Sequence, residues 1–76
     1  MWRVAMTRDE EIHQIGVKVK ERRLRLKLTQ MGLSRRSGIS QATISKIENG
    51  LMEPGCIVLK QIAIALEINL RPWWLD

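Results

Sequence analysis

Between residues 30 and 50 the chain is punctuated closely enough to leave few local geometries open. The stretch reads QMGLSRRSGISQATISKIENG. Ser40 is an N-cap residue with Gln41 directly behind it, and Gly50 closes the run as a C′ glycine does. Between them, Ile44 and Ile47 lie three apart, on one face of a helix of about two turns. The other face carries Gln41, Thr43, Ser45 and Lys46, all of which donate or accept hydrogen bonds. Upstream, residues 30–37 read as a second short helix with Leu33 inward. Gly38 supplies the left-handed residue that a tight corner between the two helices needs.

Two short helices joined at such a corner form a helix-turn-helix, whose second helix enters the DNA major groove. The stretch resembles the Cro and lambda-repressor type of helix-turn-helix regulator, the XRE-like family. The matching residues are Gln30, Gly38, Ser40-Gln41, Ile44 and Ile47 inward, and Glu48-Asn49-Gly50. The resemblance runs from about Ile15 to Leu75. It implies an all-α fold, a five-helix lambda-repressor-like DNA-binding domain with helices 2 and 3 as the helix-turn-helix.

The charge distribution points the same way. The 76 residues carry a net charge of +5, with a pI near 10.2, which suits an anionic partner, nucleic acid first. From Lys18 to Lys46 there are nine lysines and arginines against one acid, Glu21, a net +8, while the rest of the chain is net negative. The positive charge is concentrated on the motif. A chain of this length reads as one domain with a modest core, for which a partner subunit is an expected source of stability. A single cysteine excludes an intrachain disulfide framework and, with no signal peptide in view, reads as cytoplasmic. No apolar run reaches the roughly 18 residues of a membrane span, so no membrane partner is expected.

Taken in order, residues 1–8 read as an N-terminal arm whose order the sequence leaves open, with Trp2 and Val4 available to pack. Thr7 or Asp9 caps a first helix over 9–27. Ile12, Ile15, Val19 and Leu26 share its inner face, with Arg22 and Arg23 in the gap. An arginine on an apolar face must snorkel or find a partner. The resemblance supplies one: it implies a structural ion pair between Arg23 and Glu48, and a close helix crossing at Gly16. His13, without a second ligand nearby, reads as a surface residue. Leu28 is expected to bury and Thr29 to cap the second helix, which departs from the family pattern at Gly32, Ser34 and Ser37. Pro54 and Gly55 end a loop. The fourth helix, over 56–66, turns Leu59, Ile62, Ala63 and Leu66 inward, with Cys56 as a buried, inert thiol. Ile68 packs, Asn69 caps, and residues 70–75 form a short fifth helix with Pro72 in its first turn.

Phosphate contacts hold such a domain in register, and base-edge contacts specify sequence. For phosphate the candidates are Gln30, Ser40, Thr43 and Asn49, with Arg35 and Arg36 reaching from the second helix, Lys27 adding longer-range attraction, and helix N-termini supplying backbone amides. For bases they are Gln41, Ala42, Ser45 and Lys46; the resemblance places positions 41, 42 and 46 in the groove. Glutamine can pair with adenine, lysine with guanine, and the alanine methyl with a thymine methyl. In the family pattern Trp73 packs inward and the residues after it face a second subunit, so Trp74, with Leu70 and Leu75, is expected to form a two-fold interface. The expected function is therefore a homodimeric transcriptional regulator of a palindromic operator, a repressor resembling phage repressors or restriction–modification controllers. The alternative is an antitoxin whose second partner is a toxin protein; a long tail after the fifth helix would favour it, and this chain ends soon after that helix. One histidine, one cysteine and no tyrosine leave little for catalysis, and neither cofactor nor metal is implied.

Overall fold

The computed structural model describes residues 6–68, and among these the chain forms four helices and no strand. Helix α1 spans Arg8–Arg25, α2 Gln30–Ser37, α3 Gln41–Glu48 and α4 Cys56–Ala65. The expected fifth helix over 70–75, its cap Asn69, and the first five residues of the arm lie outside the described residues.

Each of the first three helices starts on a side-chain cap. Thr7, not Asp9, opens α1: its hydroxyl accepts the Glu10 N–H at 3.1 Å, and the Glu10 carboxylate accepts the Thr7 N–H at 3.1 Å. The Thr7 backbone N–H, and then its hydroxyl, hold the Glu10 carboxyl below its ordinary range. Thr29 caps α2 through the Gly32 N–H at 2.9 Å, and Ser40 caps α3 through the Thr43 N–H at 3.2 Å. Helix α1 begins one residue before the expected Asp9 and ends at Arg25 rather than Lys27.

Helices α1, α3 and α4 end alike, each with a left-handed residue after its cap and two amides turned back on the last turn. The pairs are Lys27 N–H to Leu24 O and Leu28 N–H to Arg23 O, Gly50 to Ile47 and Leu51 to Lys46, and Glu67 to Ile64 and Ile68 to Ala63, all between 2.9 and 3.1 Å. Only α3 uses a glycine there; Lys27 has φ 59° and Glu67 φ 60°. That conformation costs a residue with a Cβ about 1–2 kcal/mol. Replacing Lys27 by glycine is therefore expected to raise stability by up to about 1 kcal/mol, once the greater freedom of glycine in the unfolded chain is deducted. Urea unfolding checks this through the midpoint at constant slope. A lower midpoint would mean that the Lys27 side chain contributes more than its backbone costs.

The core draws on every helix. Val19 from α1, Leu33 from α2, Ile44 and Ile47 from α3, and Ile62 with Leu66 around the end of α4 are fully buried, joined by Ile39 from the corner and Ala65. Burying a side chain of this size contributes about 1.5–3 kcal/mol. Ile15, Leu26, Leu28, Leu59 and Ile68 pack around this centre, half-buried. α1 lies against α3, and α2 against both α3 and α4, so α3 rests on two neighbours. Ser37, polar at a position expected to be apolar, is buried and satisfied: its Oγ accepts the Ile39 N–H at 3.1 Å and so pins the corner. Gly38, at φ 76°, makes that corner.

Cys56 corrects the expectation of a buried thiol: it is exposed. Helical period alone puts it in line with Leu59, Ala63 and Leu66, but the first two residues of α4 stand clear of the core, Ile57 being 74% exposed, and packing begins at Val58 and Leu59. The buried residue at this end is Pro54, in the preceding loop.

Candidate nucleic-acid interface

The outward face of α3 is built by its inward one. Ile44 and Ile47 are fully buried, Ala42 and Lys46 lie on the side of the helix away from them, and Gln41 stands at its open first turn; all three are exposed. Gln41 and Lys46 make no hydrogen bond or ion pair with any described residue, so their polar ends are available to an external partner. Ser45 is half-buried and accepts from the Asn49 side-chain amide at 3.4 Å. At the other end of the helix the Ser40 hydroxyl donates to the Thr43 hydroxyl at 2.9 Å, pairing two of the phosphate candidates beside the helix start.

Two helix N-termini border this face. At α2 the Thr29 hydroxyl takes the Gly32 N–H and the Thr29 carbonyl takes the Leu33 N–H, leaving the amides of Gln30 and Met31 without a helical partner. At α3, Ser40 does the same for Thr43 and Ile44, leaving the amides of Gln41 and Ala42. Such amides, at the positive end of a helix, suit an anionic oxygen.

A buried ion pair anchors the recognition helix. Arg23 Nε donates to Glu48 Oε2 at 2.7 Å and Arg23 Nη2 to Oε1 at 3.0 Å, a two-pronged contact. Arg23 Nη1 donates to the Leu28 carbonyl at 2.8 Å. The two side chains are 9% and 2% exposed. Hydrogen bonding to Glu48 holds the Arg23 guanidinium above its ordinary pKa against the opposing effect of burial. Gln30 joins the pair, its Nε2 donating to Glu48 Oε1 at 3.1 Å. Among the described residues every buried side-chain nitrogen and oxygen has a partner.

The remaining arginines divide. Arg35 is exposed and makes no ion pair with a described residue. Arg36 reaches the other way, to Glu67 at 3.1 Å, both partly exposed. Arg22, the second arginine in the apolar gap of α1, caps the C-terminus of α4: its Nε donates to the Leu66 carbonyl at 3.0 Å and its Nη2 to the Glu67 carbonyl at 3.4 Å. Nothing in the sequence pairs Arg22 or Arg36 with a segment more than thirty residues away, so these two contacts and that of Gln30 were not legible beforehand. The interface candidates Leu70, Trp74 and Leu75, and the core candidate Trp73, lie outside the described residues. His13 is exposed, and no group of three metal-capable side chains occurs among the described residues. No described helix is long and apolar enough to cross a membrane.

Comparison with known proteins bears on this geometry. An uncharacterized HTH-type transcriptional regulator, y4dL, of Sinorhizobium fredii (strain NBRC 101917 / NGR234) is 48% identical over 44 residues, covering 58% of this chain. The chain spans only 22% of the length of that curated relative. A family model described as helix-turn-helix matches residues 19–73, which take in α2, the Gly38 corner, α3 with its outward polar face, and the Arg23–Glu48 pair beneath it. With most of the chain so matched, and with two capped helices meeting at a left-handed glycine, this protein belongs to the helix-turn-helix family of DNA-binding domains, of the Cro/C1 type.

Proposed function

We propose that the chain binds double-stranded DNA sequence-specifically and acts in the cytoplasm as a dimeric transcriptional repressor. One observation carries this reading: the exposed face of α3 presents Gln41, Ala42 and Lys46 with no internal engagement, between two helix N-termini, on a segment of net charge +8. In this reading Gln41, Ala42, Ser45 and Lys46 meet base edges. Gln30, Ser40, Thr43 and Asn49 meet phosphate, with Arg35 the unpaired cation beside them and Arg36 exchanging Glu67 for the DNA backbone. Dimerisation through Leu70, Trp74 and Leu75 gains support from α4. Ile57 and Ile64, two turns apart on its outer face, are 74% and 59% exposed, two large apolar side chains that a second subunit would cover. A symmetric dimer would set two recognition helices about 34 Å apart, one DNA turn, and read a palindrome.

Selection of duplexes from a random pool tests the reading, and enrichment of a palindromic site is the expected result. On that site Gln41→Ala should cost roughly 1–3 kcal/mol and relax preference at one base pair. Arg35→Ala should weaken selected and random duplexes alike and reduce the salt slope by about one phosphate's share. Failure to enrich any sequence would defeat the proposal, and unchanged preference in Gln41→Ala would defeat the groove assignment.

A further inference from the structure

We propose that Glu48 is a positioning residue for DNA binding, acting through the side-chain amide of Gln30. The inference rests on the DNA-binding reading above. Three elements converge on one carboxylate: the last part of α1 through Arg23, the start of α2 through Gln30, and the end of α3 through Glu48 itself. Oε1 accepts from both Arg23 Nη2 at 3.0 Å and Gln30 Nε2 at 3.1 Å. The carboxylate is 2% exposed and the guanidinium 9%, so neither is placed to touch an external phosphate. Gln30 is half-buried and is the member of the trio that reaches the surface.

The chemistry of the carboxylate then dictates which way the amide faces. An ionised carboxylate only accepts, so Gln30 must turn its NH2 group, not its carbonyl, toward Glu48. An unrestrained glutamine amide presents either end, and its carbonyl end would repel a phosphate oxygen. Held by Glu48, Gln30 spends one N–H internally and retains the second as a fixed donor. This donor belongs to the first residue of α2, the helix start at which the Gln30 and Met31 amides have no helical partner. The buried pair thus does more than join α1 to α3. It orients a neutral donor at the rim of the recognition surface, and that donor reads no base.

A neutral donor leaves its own signature. Gln30→Met, which keeps the length and removes the amide, should weaken selected and random duplexes by the same factor, about tenfold for one hydrogen bond to a charged oxygen. Its salt slope should stay that of wild type, because no counterion-releasing cation is lost, unlike Arg35→Ala. The positioning role is tested by a double-mutant cycle on DNA affinity, measured well below the melting temperature. Glu48→Gln should weaken binding several-fold in the wild-type background and by no more than about twofold in the Gln30→Met background, the non-additivity expected of groups acting as a unit. Equal losses in both backgrounds would overturn the proposal, because a purely structural Glu48 acts whether or not Gln30 is present. Should Glu48→Gln not fold, side-chain amide relaxation of Gln30 in the unsubstituted protein decides instead. Order well above that of the exposed Gln41 amide is expected, and equal mobility of the two would overturn the proposal. Wild-type protein that binds no duplex would defeat the DNA-binding reading itself, a result distinct from binding with zero coupling.

Discussion

Replacing Glu48 by glutamine is expected to destabilise the domain by about 3–5 kcal/mol, the usual cost of stranding one partner of a buried ion pair. The expectation comes from burial and from what remains behind. Arg23 stays charged without Glu48, because an arginine cannot neutralise itself in the working pH range. It keeps the Leu28 carbonyl at 2.8 Å and loses a two-pronged carboxylate contact in a site only 9% exposed. The sign of the linkage follows from the raised Arg23 pKa: the arginine's share of this stability is in place at neutral pH and is lost as pH climbs through the arginine range. Melting at neutral pH is therefore the informative measurement. For a domain of this size even 3 kcal/mol lowers the melting temperature by about 12 °C or more. A shift of one or two degrees would show that water reaches the pair. The double replacement Arg23→Met with Glu48→Leu should recover much of the loss, since an apolar pair of similar volume carries no desolvation penalty.

This pair also marks how far the sequence could be read. Local signals were plain: Thr29 and Ser40 before helical runs, Gly38 and Gly50 where the backbone turns left-handed. They set α2 and α3 at the expected residues. The end of α1 carried no such signal. Its apolar pattern continues through Leu26, and the left-handed residue is Lys27, which nothing about a lysine announces. Cys56 exposes a different blind spot. Helical period says which face a residue occupies, not how far along the helix the core extends, and packing on α4 begins only at Val58 and Leu59, after Cys56 and Ile57. For the surface, outwardness could be inferred for Gln41 and Lys46 from Ile44 and Ile47 turning inward, and for Ala42 from the family resemblance. Engagement could not. That Arg36 faces Glu67, Arg22 the end of α4, and Gln30 the Glu48 carboxylate depends on how separate helices cross.

The crossing of α1 on α3 supplies the other large effect. Gly16→Ala is expected to destabilise the domain by about 1–3 kcal/mol and Gly16→Val by more, in the range for overpacked cores. On helix propensity alone the sign would be opposite, since alanine in a helix interior gains roughly 1 kcal/mol over glycine. Packing overrides propensity here because of what a Cβ would strike. It would lie 3.0 Å from the Glu48 carbonyl oxygen and run into that of Ile47. Both are backbone atoms in the last turn of the recognition helix, and the Ile47 carbonyl is already held by the Gly50 N–H at 3.1 Å. They have little freedom to retreat. Relief must come from moving α1 off α3, which also stretches the Arg23–Glu48 contact about two turns further along α1. The site is therefore sensitive twice, in stability and in the seat of the recognition face. Gly55 is the control: a Cβ there meets nothing within 4 Å, and Gly55 is an N-cap without a side-chain hydrogen bond, so Gly55→Ser should be neutral or slightly stabilising. Chemical denaturation of the three variants, followed by duplex binding under conditions where each stays folded, separates the two effects. Folded Gly16→Ala should bind more weakly than Gly55→Ser. A Gly16→Ala protein as stable as wild type would mean that α1 and α3 are not in the backbone contact that this crossing describes.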